Sequence, residues 1–312
     1  EGVHQARVAS RRLRAALRVF KDCFPDGAAK RWRKSMRRLT KRLGDARDTD
    51  VQIEALEELL DGLREPQARP GVERLHLRLT QKRRGLQPKV MKTIDALVHS
   101  DALEEMRSAV RAVLGSPRVR RTGVKSLHVF REARGHILKR LDKTLELEAC
   151  LRDPADAAGH HKMRIAAKRL RYTMEICRRA YDEPGFGETL DAVKRMQTLL
   201  GDVHDCDVWS EEAEAFRAEE LRRTREFFGG DRPFESVEPG IRYLLADRGR
   251  RREELFGEAV GHWTSLSDKG VWTRLSEMLD AHVRQYVEQR EAAPRRVCED
   301  LFPLPEMRRA AR

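Results

Sequence analysis

The chain has 312 residues, 40% of them hydrophobic, with 64 Lys and Arg against 51 Asp and Glu; the net charge is +13 and the pI about 9.8. That is enough apolar material for a core, and the charge favours anionic partners: nucleic acid, a phosphate polymer or an anionic membrane surface. No apolar run approaches the roughly 20 residues that cross a bilayer, no signal peptide opens the sequence, and five widely spaced cysteines without a CxxC pair suggest neither a disulfide framework nor a zinc site, so a reducing cytoplasm is expected.

Apolar residues recur at three and four residue spacing almost throughout, and alternating apolar and polar runs are nearly absent, so the period predicts an all-α chain. The first helix is expected over 3–24, ended by Pro25. The next two, 28–44 and 46–64, are separated at Gly44. Helices over 71–99 and 101–114 follow the Pro66 to Gly71 break, the first of them carrying Pro88 as an internal kink. After Gly115 to Pro117 come 125–149, 156–182, 187–201 and 203–228, divided at Pro154, Pro184 to Gly187 and Gly201. The last two are 236–266 and 270–292, and 294–312 reads as a loose tail. Glu1 is not an initiator Met and a helix begins almost at once, which points to residues upstream.

The sequence repeats itself at a fixed offset of 157, without a gap, over about 48 residues. His4, Arg7, Ala9, Arg11, Arg12, Leu13 and Arg14 align with His161, Arg164, Ala166, Lys168, Arg169, Leu170 and Arg171. A second block aligns Arg37, Arg38, Leu43, Gly44, Asp45, Asp48 and Asp50 with Lys194, Arg195, Leu200, Gly201, Asp202, Asp205 and Asp207. The helix expected over 125–149 has no counterpart before His4. One domain over 1–293 is expected, made of repeat halves 1–124 and 125–293.

The repeat carries two cationic stripes. His4, Arg7, Arg11, Arg14 and Arg18 follow 3, 4, 3, 4 spacing and fall on one narrow face of a helix. Ala6, Ala9, Leu13, Ala16, Leu17 and Phe20 form the expected core face. His161, Arg164, Lys168 and Arg171 repeat the stripe, one rung shorter because Glu175 stands where Arg18 would be. Ordinary charged faces mix their signs, since acids at i+4 relieve repulsion. Here no acid lies between Val3 and Lys21 or between Gly159 and Met174, so both stripes are read as anion-binding. His4 and His161 are expected at helix starts, where free N–H groups would add to the attraction. Arg12 and Arg169 lie off the stripes, structural or binding, with Asp48 and Asp205 as expected partners. Arg37, Arg38, Lys194 and Arg195 are expected to extend the basic surface from the neighbouring helix.

The Gly-Asp-x-x-Asp-x-Asp blocks are read as helix stops followed by capping and salt-bridging acids. His204-Asp205 is like the His-Asp pair of metal-dependent phosphohydrolases, but its repeat equivalent is Arg47-Asp48 and no outer His and Asp match it. No phosphate-cradling Gly-rich loop or nucleophile elbow occurs, so neither a catalytic residue nor a metal or other cofactor is assigned.

At His4-Gln5-Ala6-Arg7-Val8-Ala9-Ser10-Arg11-Arg12-Leu13-Arg14, at His161-Lys162-Met163-Arg164-Ile165-Ala166-Ala167-Lys168-Arg169-Leu170-Arg171-Tyr172 and at the Leu-Gly-Asp blocks, the chain resembles the CHAD family, the conserved histidine α-helical domain. The resemblance implies two antiparallel helical bundles related by a pseudo-twofold axis, with the basic helices facing a shared central groove. It further implies non-catalytic binding of inorganic polyphosphate, and a place at polyphosphate granules. A nucleic-acid backbone is the alternative partner; aromatics are only 6% and neither stripe interleaves rings that would stack on bases. The oligomeric state is not legible, and no membrane contact is expected.

Overall fold

The computed structural model describes residues 2–115 and 126–292. Nine α-helices run through them: α1 (Gly2–Val19), α2 (Ala28–Gly62), α3 (Arg69–Val98), α4 (Ala102–Gly115), α5 (Leu127–Leu145), α6 (Ala157–Cys177), α7 (Pro184–Phe228), α8 (Glu238–Asp268) and α9 (Val271–Ala292). No strand occurs among the described residues, as the helical period requires. The expected tail lies outside them. None of these helices is long and apolar enough to cross a membrane. Cys150 and Cys177 are free and buried, and burial pushes their thiols up to about 11 and about 12, so they behave as small core hydrophobes.

Helix ends follow local chemistry. Ser126 opens α5 by accepting the Val129 N–H at 3.3 Å, and Asp156 opens α6 by accepting that of Gly159 at 2.8 Å. Gly229 closes α7 at φ 73°, its N–H reaching Arg225 O at 2.9 Å. Pro88 remains within α3. The expected stops at Gly44 and Gly201 do not form: α2 and α7 run straight through them. A mid-helix glycine costs only about 1 kcal/mol against alanine, and each is flanked by fully buried apolar residues, Leu43 and Ala46 in one helix, Leu200 and Val203 in the other. Packing on both sides of the glycine outweighs its propensity.

α1 is shorter than expected and rotated relative to the expected core face. Leu17 and Ser10 are buried, with Ala9 and Phe20 exposed. Ser10 is tolerated because its hydroxyl donates to Arg7 O at 2.9 Å and lies 3.0 Å from that of Thr40 on α2. The largest core gathers α5 to α9 around Phe130, Ile137, Met163, Leu170, Phe186 and Leu275. Two smaller clusters sit under α1, the first centred on Trp32 and Met36, the second on Leu43 and Val90.

Both halves of the repeat meet at two places. One is an apolar junction in which Leu56, Val72 and Leu75 pack on Trp209, Ile241 and Leu244. There α3 and α8 touch backbone to backbone: a Cβ on Gly71 would lie 2.1 Å from Val237 O, and one on Gly240 2.1 Å from Ala68 O. Only glycine allows that approach. The buried carboxylate of Glu220 on α7 ties down the rim by taking Arg74 at 3.2 Å and Arg78 at 2.6 Å from α3. The other meeting place is the contact of α1 with α6.

Candidate polyanion-binding groove

Where α1 meets α6, their stripes face one another. Arg11 has Arg7, Arg164, Arg171 and Tyr172 as its electrostatic neighbours, and Lys168 has Arg11, Arg164, Arg7 and Arg169. The basic surface continues along α1: Arg14 lies beside Arg33 and Arg37 of α2, and Arg18 beside Arg33, Arg169 and Arg140 of α5. Two of these cations were missed by sequence reasoning. Arg33 precedes Arg37 by one helical turn and could have been found by that spacing, whereas Arg140 lies in the helix that has no repeat counterpart.

Such a cluster is electrostatically costly. Two like charges roughly 6 Å apart repel by about 3 kcal/mol at an effective dielectric near 20. The strain shows in the titration of the groups. Burial first, then neighbouring cations, lowers Arg11, Arg14, Arg18 and Arg140 from their ordinary value. The same causes bring Lys168 down to about 7. His161 is lowered by burial and by Arg164 and Lys168.

Few acids relieve the cluster. Arg7 pairs with Asp48 at 3.0 Å, and Arg171 approaches Glu175 at 3.4 Å. Arg11, Arg14, Arg18, Arg33, Arg37, Arg140, Arg164, Lys168 and Arg169 form no ion pair among the described residues. Outside the groove the contrast is plain, with Arg83 held by Asp50, Arg252 by Asp207 and Arg222 by Glu219 and Glu226.

The remaining expected site residues are distributed unevenly. His4 is exposed on the first turn of α1, and its side chain forms no hydrogen bond among the described residues. His161 is not at a free helix end, because α6 starts four residues earlier and Asp156 already caps it. It packs instead on His204 of α7, with ring centroids 4.4 Å apart, and its Nδ1 is buried without a partner. Lys194 is taken up by Asp191 at 2.8 Å, Arg195 is exposed, and Arg38 turns toward α3. Arg12 and Arg169 are exposed and form no ion pair with Asp48 or Asp205 among the described residues, Asp48 going to Arg7 instead.

Of the six acids in the two blocks, Asp48, Asp50 and Asp207 form ion pairs among the described residues, and none caps a helix start, because the helices run through both blocks. Asp48 serves the stripe itself through Arg7; Asp50 and Asp207 each hold an arginine from the following helix. Burial raises the Asp48 carboxyl, opposed by Arg7 and reinforced by nearby Asp205 and Asp45. Gly44 and Gly201 mark where each stripe lies on the neighbouring helix: a Cβ on Gly44 would stand 3.8 Å from Arg7 Nε and one on Gly201 3.6 Å from Arg164 Nε, both ordinary van der Waals distances. No group of three or more His, Cys, Asp or Glu able to hold a metal occurs among the described residues.

The model of the CHAD domain family matches residues 1–214, which include both stripes. The chain belongs to the CHAD domain family. The match ends inside α7, so α8 and α9 lie beyond it. The crystal structure of the CHAD domain from the plant Ricinus communis is similar to this CHAD protein at a TM-score of 0.55 and 25% identity, covering 84% of this chain and 81% of that one. No curated protein matches it.

Proposed function

We propose that the groove between α1 and α6 binds inorganic polyphosphate without turning it over, as one CHAD unit over residues 1–293. The observation that carries this is the convergence of Arg11, Arg164 and Lys168, none of which forms an ion pair among the described residues; of the carboxylates near them, Asp48 is already engaged by Arg7, and Asp202 neighbours Arg164 without pairing with it. A polyanion supplies the missing charge: guanidinium N–H groups donate to phosphate oxygens in charge-assisted, often bidentate hydrogen bonds. Binding of this kind would retain the protein at polyphosphate granules in the cytoplasm.

A nucleic-acid backbone is the second reading, favoured by an aromatic ring at the groove, Tyr172, beneath the Arg171 guanidinium at 4.7 Å. Titration with long-chain polyphosphate and with duplex DNA at matched phosphate concentration separates the two. Polyphosphate is expected to bind tighter, with affinity falling steeply with salt as counterions are released. Equal or tighter binding of DNA makes the groove a nucleic-acid surface.

Lys168 makes the binding pH-dependent. In the free protein its ammonium titrates at about 7, and a polyanion beside it returns its pKa toward the ordinary value near 10. Between those values binding therefore takes up a proton, so affinity falls as pH rises above 7 and is flat, for this group, below it. About a tenfold loss between pH 7 and 9 is expected, Lys168→Arg abolishing the dependence while keeping affinity. The same loss in that variant removes Lys168 as its source.

A further inference from the structure

Outside the groove, α2 and α3 enclose an open cleft of about 680 Å³ whose rim carries Arg38, Lys41, Arg42, Lys89 and Lys92 over a floor that includes Leu39 and Leu97. All five cations are exposed, and none forms an ion pair or side-chain hydrogen bond among the described residues. Further along the same two helices the opposite holds, where Asp50 takes Arg83 and Glu57 takes His76. No acid lines the cleft.

The fold does not need these cations. At the offset of 157, Arg38, Lys41 and Arg42 become Arg195, Thr198 and Leu199, and Leu199 is buried in the large core with Trp263 of α8. The second half fills with apolar packing the place where the first half exposes charge. The cleft is also joined to the groove. At about 100° per residue Arg33, Arg37, Lys41, Arg38 and Arg42 fan round α2 in steps of about 40–60°. Arg33 and Arg37 face Arg14 of the groove, and Arg38, Lys41 and Arg42 face the cleft, so cations without partners lead from one to the other with no acid between.

We propose that the α2–α3 cleft is a second phosphate-binding site, occupied by the part of a polyphosphate chain that leaves the central groove over Arg37. The proposal rests on the groove reading for the identity of the ligand. It makes the first half of the molecule the exit side and gives the protein a preference for chains longer than the groove alone can hold. Once the groove has captured one stretch, entry of the next into the cleft is intramolecular, so modest cleft affinity is enough.

The test is Lys41→Gln/Arg42→Gln/Lys92→Gln in the full chain, with Lys143→Gln/Lys269→Gln/Arg232→Gln as a control that removes the same charge from exposed positions elsewhere. Binding is measured for inorganic polyphosphate of about ten and about a hundred units over a salt series. The cleft variant is expected to bind the long polymer about tenfold or more weakly. Its salt dependence should lose roughly one unit of logarithmic slope per removed cation, by analogy with nucleic-acid phosphate contacts, while the short polymer binds as to the parent protein. An unchanged affinity and slope for the long polymer overturns the proposal. So does an equal loss for both lengths, or an equal loss in the control, since either reflects net charge alone. Failure of the groove reading looks different: Arg11→Glu/Arg164→Glu would then leave both polymers bound while the cleft variant still loses the long one.

Discussion

Arg11→Glu combined with Arg164→Glu is expected to cost about a thousandfold in affinity for long-chain polyphosphate and, at the same time, to raise the melting temperature. Each arginine lost from a phosphate contact forfeits about 1.5–3 kcal/mol of charged hydrogen bonding, and each new carboxylate repels the polymer. Two such losses give the thousandfold figure, since about 1.4 kcal/mol is a factor of ten. The opposite sign for stability follows from the same charges. Arg11 is a half-buried guanidinium surrounded by Arg7, Arg164 and Arg171, and a carboxylate placed there meets those cations as an internal counter-ion. Isothermal titration and thermal unfolding followed by helix content measure the two effects side by side. Lost binding with lost helicity would place these residues in the fold rather than the site, and retained binding would remove the groove as the site.

Asp48 follows the same logic. In the free protein it occupies Arg7 at 3.0 Å, standing in for part of the missing anion. On the proposed reading a bound phosphate would share or displace it, and the acid block would hold the groove below its full affinity. Burial keeps that carboxyl easier to protonate than an ordinary aspartate, which acts in the same direction as Lys168: acidification strengthens the hold on a polyanion.

The all-helical class, the duplication and the two stripes were legible in the sequence because each is a matter of spacing, and spacing survives folding. Arg7, Arg11, Arg164 and Lys168 were placed on one face by 3 and 4 residue steps, and they do converge. Where tertiary packing decides, local signals misled. Gly44-Asp45 and Gly201-Asp202 have the chemistry of a stop followed by a start, yet buried neighbours carry α2 and α7 across both glycines. Pairing across helices was equally hidden. Asp48 was given to Arg12 because both stand outside the stripe pattern, but the register of α1 on α2 brings it to Arg7. His161 on His204, and Arg140 beside Arg18, join elements whose relation only the fold defines. The rotation of α1 that buries Ser10 and exposes Ala9 comes from a hydroxyl pairing with Thr40, a contact that no hydrophobic pattern contains.

Chain length is expected to have a second large effect: tripolyphosphate and ATP should compete against a labelled long chain at least about a hundredfold more weakly, per molecule, than polymers of about a hundred units. From His4 to Arg18 the stripe of α1 runs about 21 Å, and that of α6 from His161 to Arg171 about 15 Å, at 1.5 Å per residue. A triphosphate engages only a few of these cations. It leaves the rest of the cluster, Arg14, Arg18, Arg33 and Arg140 among them, still repelling one another. Each further phosphate of a polymer enters by an intramolecular step, paying little new association entropy and cancelling one more cation. Affinity should therefore climb with length and level off once the available cations are matched. Removing the α6 stripe by Arg164→Gln/Lys168→Gln should weaken binding and bring the plateau to shorter chains, because fewer cations remain to be matched. A competition series from triphosphate upward reads both quantities. Equal potency for triphosphate and long chains would mean one compact phosphate pocket, and the extended groove would have to be given up.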